Sequence, residues 1–175
     1  MIRYVRPADH TAIAEVVSSA FGRTDEARLV ERLRADEDTM FELVAEDAGA
    51  VAGHIFFSRL WADRTGLYGA LAPLAVRPER HGEGLGSNLV RTGLQCAREF
   101  GCHGLLVLGD PAYYGRFGFS ADEARSVSAP YRGLPAFQAL ALEDGAFSEP
   151  LSVAYPDAFG AVSSPPGPWA PPPQA

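Results

Sequence analysis

One stretch constrains the fold of this chain more than any other. Leu67 to Val76 is an apolar run without a charge, the backbone then passes Gly82, Gly84 and Gly86, and small or apolar residues recur at Leu85, Leu89, Gly93, Ala97 and Phe100. The spacing predicts a buried strand, a tight glycine turn and a helix in direct succession. Pro73 lies inside the strand and cannot donate to a ladder, so a bulge or a break in pairing on one side is expected there. Three alternate glycines entering a helix leave backbone N–H groups unhindered at the positive end of the helix dipole, an arrangement suited to a phosphate or diphosphate. Glycines also serve ordinary tight turns, so the loop alone does not decide the matter.

Two better-known phosphate loops fail on spacing or composition. A dinucleotide fingerprint would need glycine at 87 or 89, where Ser87 and Leu89 stand. A Walker loop needs a lysine, and all 15 residues counted as Lys+Arg are arginine. The missing ε-amine also excludes Schiff-base and pyridoxal-phosphate chemistry.

Around this unit the remaining elements fall into place. Ile2 to Val5 reads as a short strand; Pro7 and Asp9 open a helix with Ile13, Val16, Val17 and Ala20 on one face, ended by Gly22; Thr24 or Asp25 caps a second helix carrying Leu29, Val30 and Leu33. Phe41, Leu43 and Ala45 alternate with Glu42 and Glu46, and Asp47-Ala48-Gly49 turns the chain into Val51 to Ser58, a hairpin. Gly104 to Leu108 reads as a buried strand, Asp110-Pro111 opens a short helix through Tyr114, and Phe137 to Leu142 is a later strand interrupted by Gln138. The expected class is α/β with a mixed α+β sheet and helices on both faces, in the order β-α-α-β-β-β-α-β-α-β-β.

With 175 residues, one domain with a proper core is expected. Its end is set near Val162, because residues 163 to 175 hold six of the 14 prolines and no charge, as a polyproline-like or disordered tail would. A Pro-rich ligand for a recognition domain is the other reading of that tail. The net charge of −7 and the scattered arginines argue against a nucleic-acid surface. No secretory signal or membrane span is expected, and Cys96 and Cys102 read as free thiols in a reducing cytoplasm. No metal site is expected: Cys96, Cys102 and His103 lack ligand spacing, and His10, His54 and His81 are far apart in sequence.

The segment Leu74-Ala75-Val76-Arg77-Pro78-Glu79-Arg80-His81-Gly82-Glu83-Gly84-Leu85-Gly86-Ser87-Asn88-Leu89 resembles the acetyl-CoA-binding motif of the GCN5-related N-acetyltransferases (GNAT), in which Gln or Arg stands three residues before a Gly-x-Gly/Ala pair. Thirty residues on, Tyr114-Gly115-Arg116-Phe117-Gly118-Phe119 is similar to that superfamily's second signature. The fuller string from Val107, with Gly53-His54-Ile55 upstream, resembles its YhbS-like branch. The resemblance covers about residues 2 to 160 and implies the GNAT acyl-CoA N-acyltransferase fold, acetyl-CoA as cosubstrate, no metal, and transfer to a small-molecule or peptide amine. A homodimer is left open.

By resemblance, backbone groups of Leu74, Ala75 and Val76 bind the pantetheine arm, with a strand N–H at the developing oxyanion. His81, Gly82, Glu83, Gly84, Leu85, Gly86, Ser87 and Asn88 form the diphosphate loop. His81 replaces the usual Gln or Arg, which leaves the donor open between it and Arg80, and Glu83 is expected to point away from the phosphates. Tyr114 matches the general acid for the CoA thiolate. A free phenol titrates near 10 and a thiol near 8.5, so full donation is uphill by about 2 kcal/mol, and a hydrogen bond to the thiolate with solvent supplying the proton is a serious variant. Packing of a helix aromatic is the structural reading of the same residue.

Where some family members carry a glutamate, six residues before the valine, this chain has Ala70. His54, Glu42 and Glu46 are other candidate bases, although a histidine on an apolar strand is more often structural. Lacking a base favours a weakly basic acceptor, because a lysine side chain is about 0.04% neutral at pH 7 and an α-amine about 10 to 15%. A non-catalytic acyl-CoA-binding module of the same fold is the alternative, favoured by His81 and Ala70 and disfavoured by Tyr114. The acceptor pocket is expected from loops 21–28 and 61–68.

Overall fold

The computed structural model describes residues 1–161. Strands β1 (Ile2–Tyr4), β2 (Thr39–Asp47), β3 (Ala50–Ala62), β4 (Leu67–Val76), β5 (Cys102–Leu108) and β7 (Phe137–Ala141) follow one another across a single sheet. Pairing is antiparallel except between β4 and β5, which run parallel. Two short strands, β6 (Val127–Ser128) and β8 (Leu151–Ala154), pair with each other, and β8 extends the end of β3 through Trp61 and Ala62. That pairing carries β3 four residues past its expected end at Ser58, and three strands rather than two follow Tyr114.

Helices α1 (His10–Phe21) and α2 (Asp25–Ala35) cover one face; α3 (Leu85–Glu99) and the single turn α4 (Pro111–Tyr114) cover the other. The alternation of the strands makes this division. Val44, Val51 and Ala75 pack with Ile13, Val16 and Val17 of α1. Leu43, Ile55, Phe57 and Leu74 pack with Leu89, Val90 and Leu94 of α3 and with Tyr114. A third cluster joins Tyr68, Ala70, Leu106 and Phe137 to the chain between Ala124 and Val153. Gly22 ends α1 at φ 68°, and the Asp110 carboxylate accepts from the Ala112 N–H at 2.9 Å to cap α4 ahead of Pro111.

Two details differ from the sequence reading. Gln138 does not interrupt β7: its side-chain amide donates to the carbonyls of Gly109 and Ala136, so the buried polar group is satisfied within the sheet. Phe100 is 53% exposed because it sits at the C-cap of α3, past the turn that faces the sheet. The expected domain end at Val162 and the Pro-rich tail lie outside the described residues. No helix among the described residues is long and apolar enough to cross a membrane, and none of their acidic, histidine or cysteine groups cluster in a way that could hold a metal.

Candidate active site

The site begins with a break in the sheet. Pairing of β4 with β5 ends at Leu71 opposite Val107. On the other side, Ile55 and Phe57 of β3 face Leu74 and Leu71, so β4 carries an extra residue at Ala72-Pro73, the bulge expected at the proline. Beyond it, the Arg77 N–H bonds to the Ala52 carbonyl. Antiparallel alternation then turns the backbone groups of Val76 and Leu74 away from β3, towards the side where β5 has departed. Ala75, paired with His54, turns its backbone to β3 instead. Leu74 and Val76 thus turn backbone groups to the side from which β5 has departed, and Ala75 contributes its place in the ladder.

The glycine loop continues from this break. Gly82 and Gly84 both adopt φ 80°, a conformation side chains other than glycine rarely take. Among the described residues, no backbone N–H from Gly82 through Ser87 donates to a protein acceptor; the Asn88 N–H is the first to bond, to the Gly84 carbonyl. Six consecutive N–H groups therefore stand free at the N-terminus of α3, through Glu83, Leu85 and Gly86. The Glu83 carboxylate is held by the Arg80 guanidinium at 2.6 Å, and Arg80 also pairs with Asp47, so neither charge is free. His81 Nε2 lies 2.9 Å from the Val76 carbonyl oxygen.

On the α3 face, Tyr114 is wholly buried and its hydroxyl has no hydrogen-bond partner. Gly118, at φ 97°, returns the chain so that Phe119 packs edge-on against the Tyr114 ring, 5.8 Å between centroids. This is the physical content of the Tyr-x-x-x-Gly-Phe spacing. Burial pushes the phenol well above its usual range.

A model of the acetyltransferase (GNAT) family matches residues 10–119. The chain belongs to the GNAT family. It is an acyltransferase, and its relatives place it in the YhbS-like branch. The uncharacterized N-acetyltransferase YjhQ of Escherichia coli K12 is 35% identical over 168 residues, covering 89% of this chain and 93% of that protein. The uncharacterized N-acetyltransferase YhbS of the same strain is 36% identical over 151 residues, covering 85% and 90%. The fold matches the crystal structure of Escherichia coli YhbS in complex with CoA, with a TM-score of 0.86, 34% identity and 93% of each chain covered. A GNAT acetyltransferase from Brucella melitensis in complex with acetyl-CoA matches with a TM-score of 0.74 and 36% identity, over 91% of this chain and 97% of that one.

Within this GNAT site the three alternative bases separate. Glu46 pairs with Arg3 at the edge of the sheet. Glu42 accepts two hydrogen bonds from Arg34, at 2.8 and 2.7 Å, and lies 2.8 Å from Nε2 of the fully buried His54. Cross-strand partners share a face, so His54, opposite Val44 and Ala75, lies on the α1 face, away from Tyr114. Burial alone would raise the Glu42 carboxyl, but the bonds from Arg34 and His54 outweigh it and hold it at about 2. Burial lowers His54 below its usual value against the pull of Glu42. Ala70 is buried opposite Ser58, and no carboxylate stands at that place.

The sequence reading missed Arg34 as the partner that keeps Glu42 charged, and Arg116 as a neighbour of the loop. Arg116 Nη2 lies 3.3 Å from Ser87 Oγ in the first turn of α3. Nothing in local spacing signals a contact between residues 29 apart.

Proposed function

We propose that this GNAT protein is an acetyl-CoA-dependent N-acetyltransferase that moves the acetyl group to a primary amine, small-molecule or peptide, by direct attack in a ternary complex. The run of free N–H groups from Gly82 to Ser87 carries the reading: six unpaired donors at a helix N-terminus are suited to a diphosphate. Before the loop, Leu74 and Val76 turn backbone groups to the side where β5 has departed, a length of strand suited to a pantetheine arm.

Acetyl-CoA supplies an activated acyl carbon in its thioester. The amine nitrogen bonds to that carbon, the C–S bond breaks, the nitrogen gives its proton to solvent water and the sulfur leaves as thiolate. A backbone N–H of β4 beyond the bulge, at Leu74 or Val76, is aimed to stabilise the developing oxyanion. Tyr114 Oη, free of any protein partner, donates a hydrogen bond to the leaving sulfur. Its burial makes full loss of the proton costly, which favours stabilisation of the thiolate with the proton arriving from solvent.

Tyr114→Phe tests the assignment. The hydroxyl bonds to nothing in the protein, so phenylalanine keeps the packing and the fold. Turnover falls at least about tenfold while acetyl-CoA binding stays within about twofold; an unchanged rate removes the role.

A further inference from the structure

Arg116 and Arg91 stand apart from the other cations near the loop. Arg80 is engaged by Asp47 and Glu83, and Arg77 Nε donates to the Val51 carbonyl. Among the described residues, no carboxylate lies within ion-pair distance of Arg116 or Arg91. The Arg116 guanidinium lies 4.6 Å from the centre of the Tyr113 ring and 5.3 Å from that of Phe117; Arg91 covers the same Phe117 ring at 5.5 Å. Ser87 and Arg91 are four residues apart on α3 and so share a face. Two exposed guanidiniums therefore stand beside the end of the free N–H run, held by aromatic faces rather than neutralised by acids.

A second observation points to a ligand at the same place. Tyr113 is 4% exposed, and its hydroxyl, facing Ser87, has no hydrogen-bond partner. Burial pushes this phenol up, while Ser87, Arg116 and Arg91 act in the opposite direction. An orphaned donor, a serine hydroxyl and two unpaired cations in one cluster are a set that a phosphate would satisfy.

Resting on the reading of the glycine loop as a CoA diphosphate site, we propose that Arg116, with Arg91 beside it, binds the 3′-phosphomonoester of CoA and makes the protein selective for CoA over its 3′-dephospho form. The N–H run serves the diphosphate, and a group one ribose away needs its own cations. A phosphomonoester carries nearly two negative charges at neutral pH and presents three acceptor oxygens, which a guanidinium fork can meet in pairs.

Isothermal titration of the full chain with CoA and with 3′-dephospho-CoA tests this without any acceptor amine. The wild type is expected to bind CoA at least about tenfold more tightly. Arg116→Ala brings that ratio to within about twofold, leaves the affinity for 3′-dephospho-CoA unchanged and leaves the melting temperature within about 2 °C. Arg116→Gln, which keeps a planar group against the rings, loses the selectivity in the same way, so a poorly folded alanine variant does not decide the result. Equal wild-type affinity for the two ligands overturns the proposal while leaving the CoA site standing, as does an equal loss for both ligands in the variants. No binding of either ligand by the wild type overturns the CoA reading itself, and this proposal with it.

Discussion

His81 Nε2 lies 2.9 Å from the carbonyl oxygen of Val76, the last residue of β4. A carbonyl only accepts, so Nε2 carries a proton and donates it to the strand rather than to a phosphate. The bond ties the glycine loop back to the strand beside the break. The geometry suits His81 to positioning the loop, which a glutamine amide or an arginine guanidinium could also do.

His81→Ala is therefore expected to loosen the loop and weaken CoA binding by about three- to tenfold, with little change in melting temperature. His81→Gln, which keeps a donor of similar reach, recovers most of the affinity. Titration calorimetry on the two variants checks this; an alanine variant with wild-type affinity would remove the role.

Arg80 and Glu83 face each other at 2.6 Å beside the N–H run. Arg80→Ala leaves the Glu83 charge uncompensated next to an incoming diphosphate, and CoA affinity should fall by about two- to fivefold, more at low salt. The double variant Arg80→Ala/Glu83→Gln should return it. Loss that persists in the double variant would mean that Arg80 itself contacts the phosphates.

The Arg34–Glu42–His54 network sets an acid sensitivity. His54 is favoured neutral in the fold, with Glu42, Arg34 and His10 as the charged or titratable groups around it. The unfolded chain, titrating near 6.5, binds more protons below that value, so stability is full above pH 6.5 and falls as the solution is acidified. The Glu42 carboxyl, held at about 2, adds a second loss that begins below about pH 4.5. Melting temperature should drop between pH 7 and pH 5 in the wild type and drop less in His54→Gln. Glu42→Ala, which strands Arg34 and His54, should cost about 3 kcal/mol by urea unfolding at pH 7.

Gly93 is where α3 presses on β3. A Cβ there would sit 2.6 Å from two atoms of the Phe57 ring, in a cluster whose members are almost fully buried. Alanine would gain about 1 kcal/mol of helix propensity and lose more through overpacking. Urea unfolding of Gly93→Ala is expected to show a net loss of about 1 to 2 kcal/mol; a gain would mean that α3 can shift outward freely.

Local chemistry explains which parts of this molecule were legible in the sequence. The ten-residue apolar run, the left-handed glycines at 82 and 84 and the Asp110-Pro111 cap are each decided within a few residues, and the structure places β4, α3 and α4 where those signals put them. What stayed hidden depends on distant partners. The end of β3 is set by pairing with Val153 and Ala154, about 90 residues away. Glu42 and His54 looked like separate candidate bases until cross-strand pairing and Arg34 joined them. Arg116 had no meaning beside the loop until the turn after α4 met Ser87 in the first turn of α3.

Thiol release from acetyl-CoA across a panel of primary amines, read alongside CoA titration on the same protein, tests the central claim most directly. An N-acetyltransferase of this kind binds CoA, releases thiol in dependence on at least one amine, and loses that release in Tyr114→Phe with binding retained. Tight CoA binding with no amine-dependent release from any member of the panel would contradict that claim and leave a non-catalytic acyl-CoA-binding module.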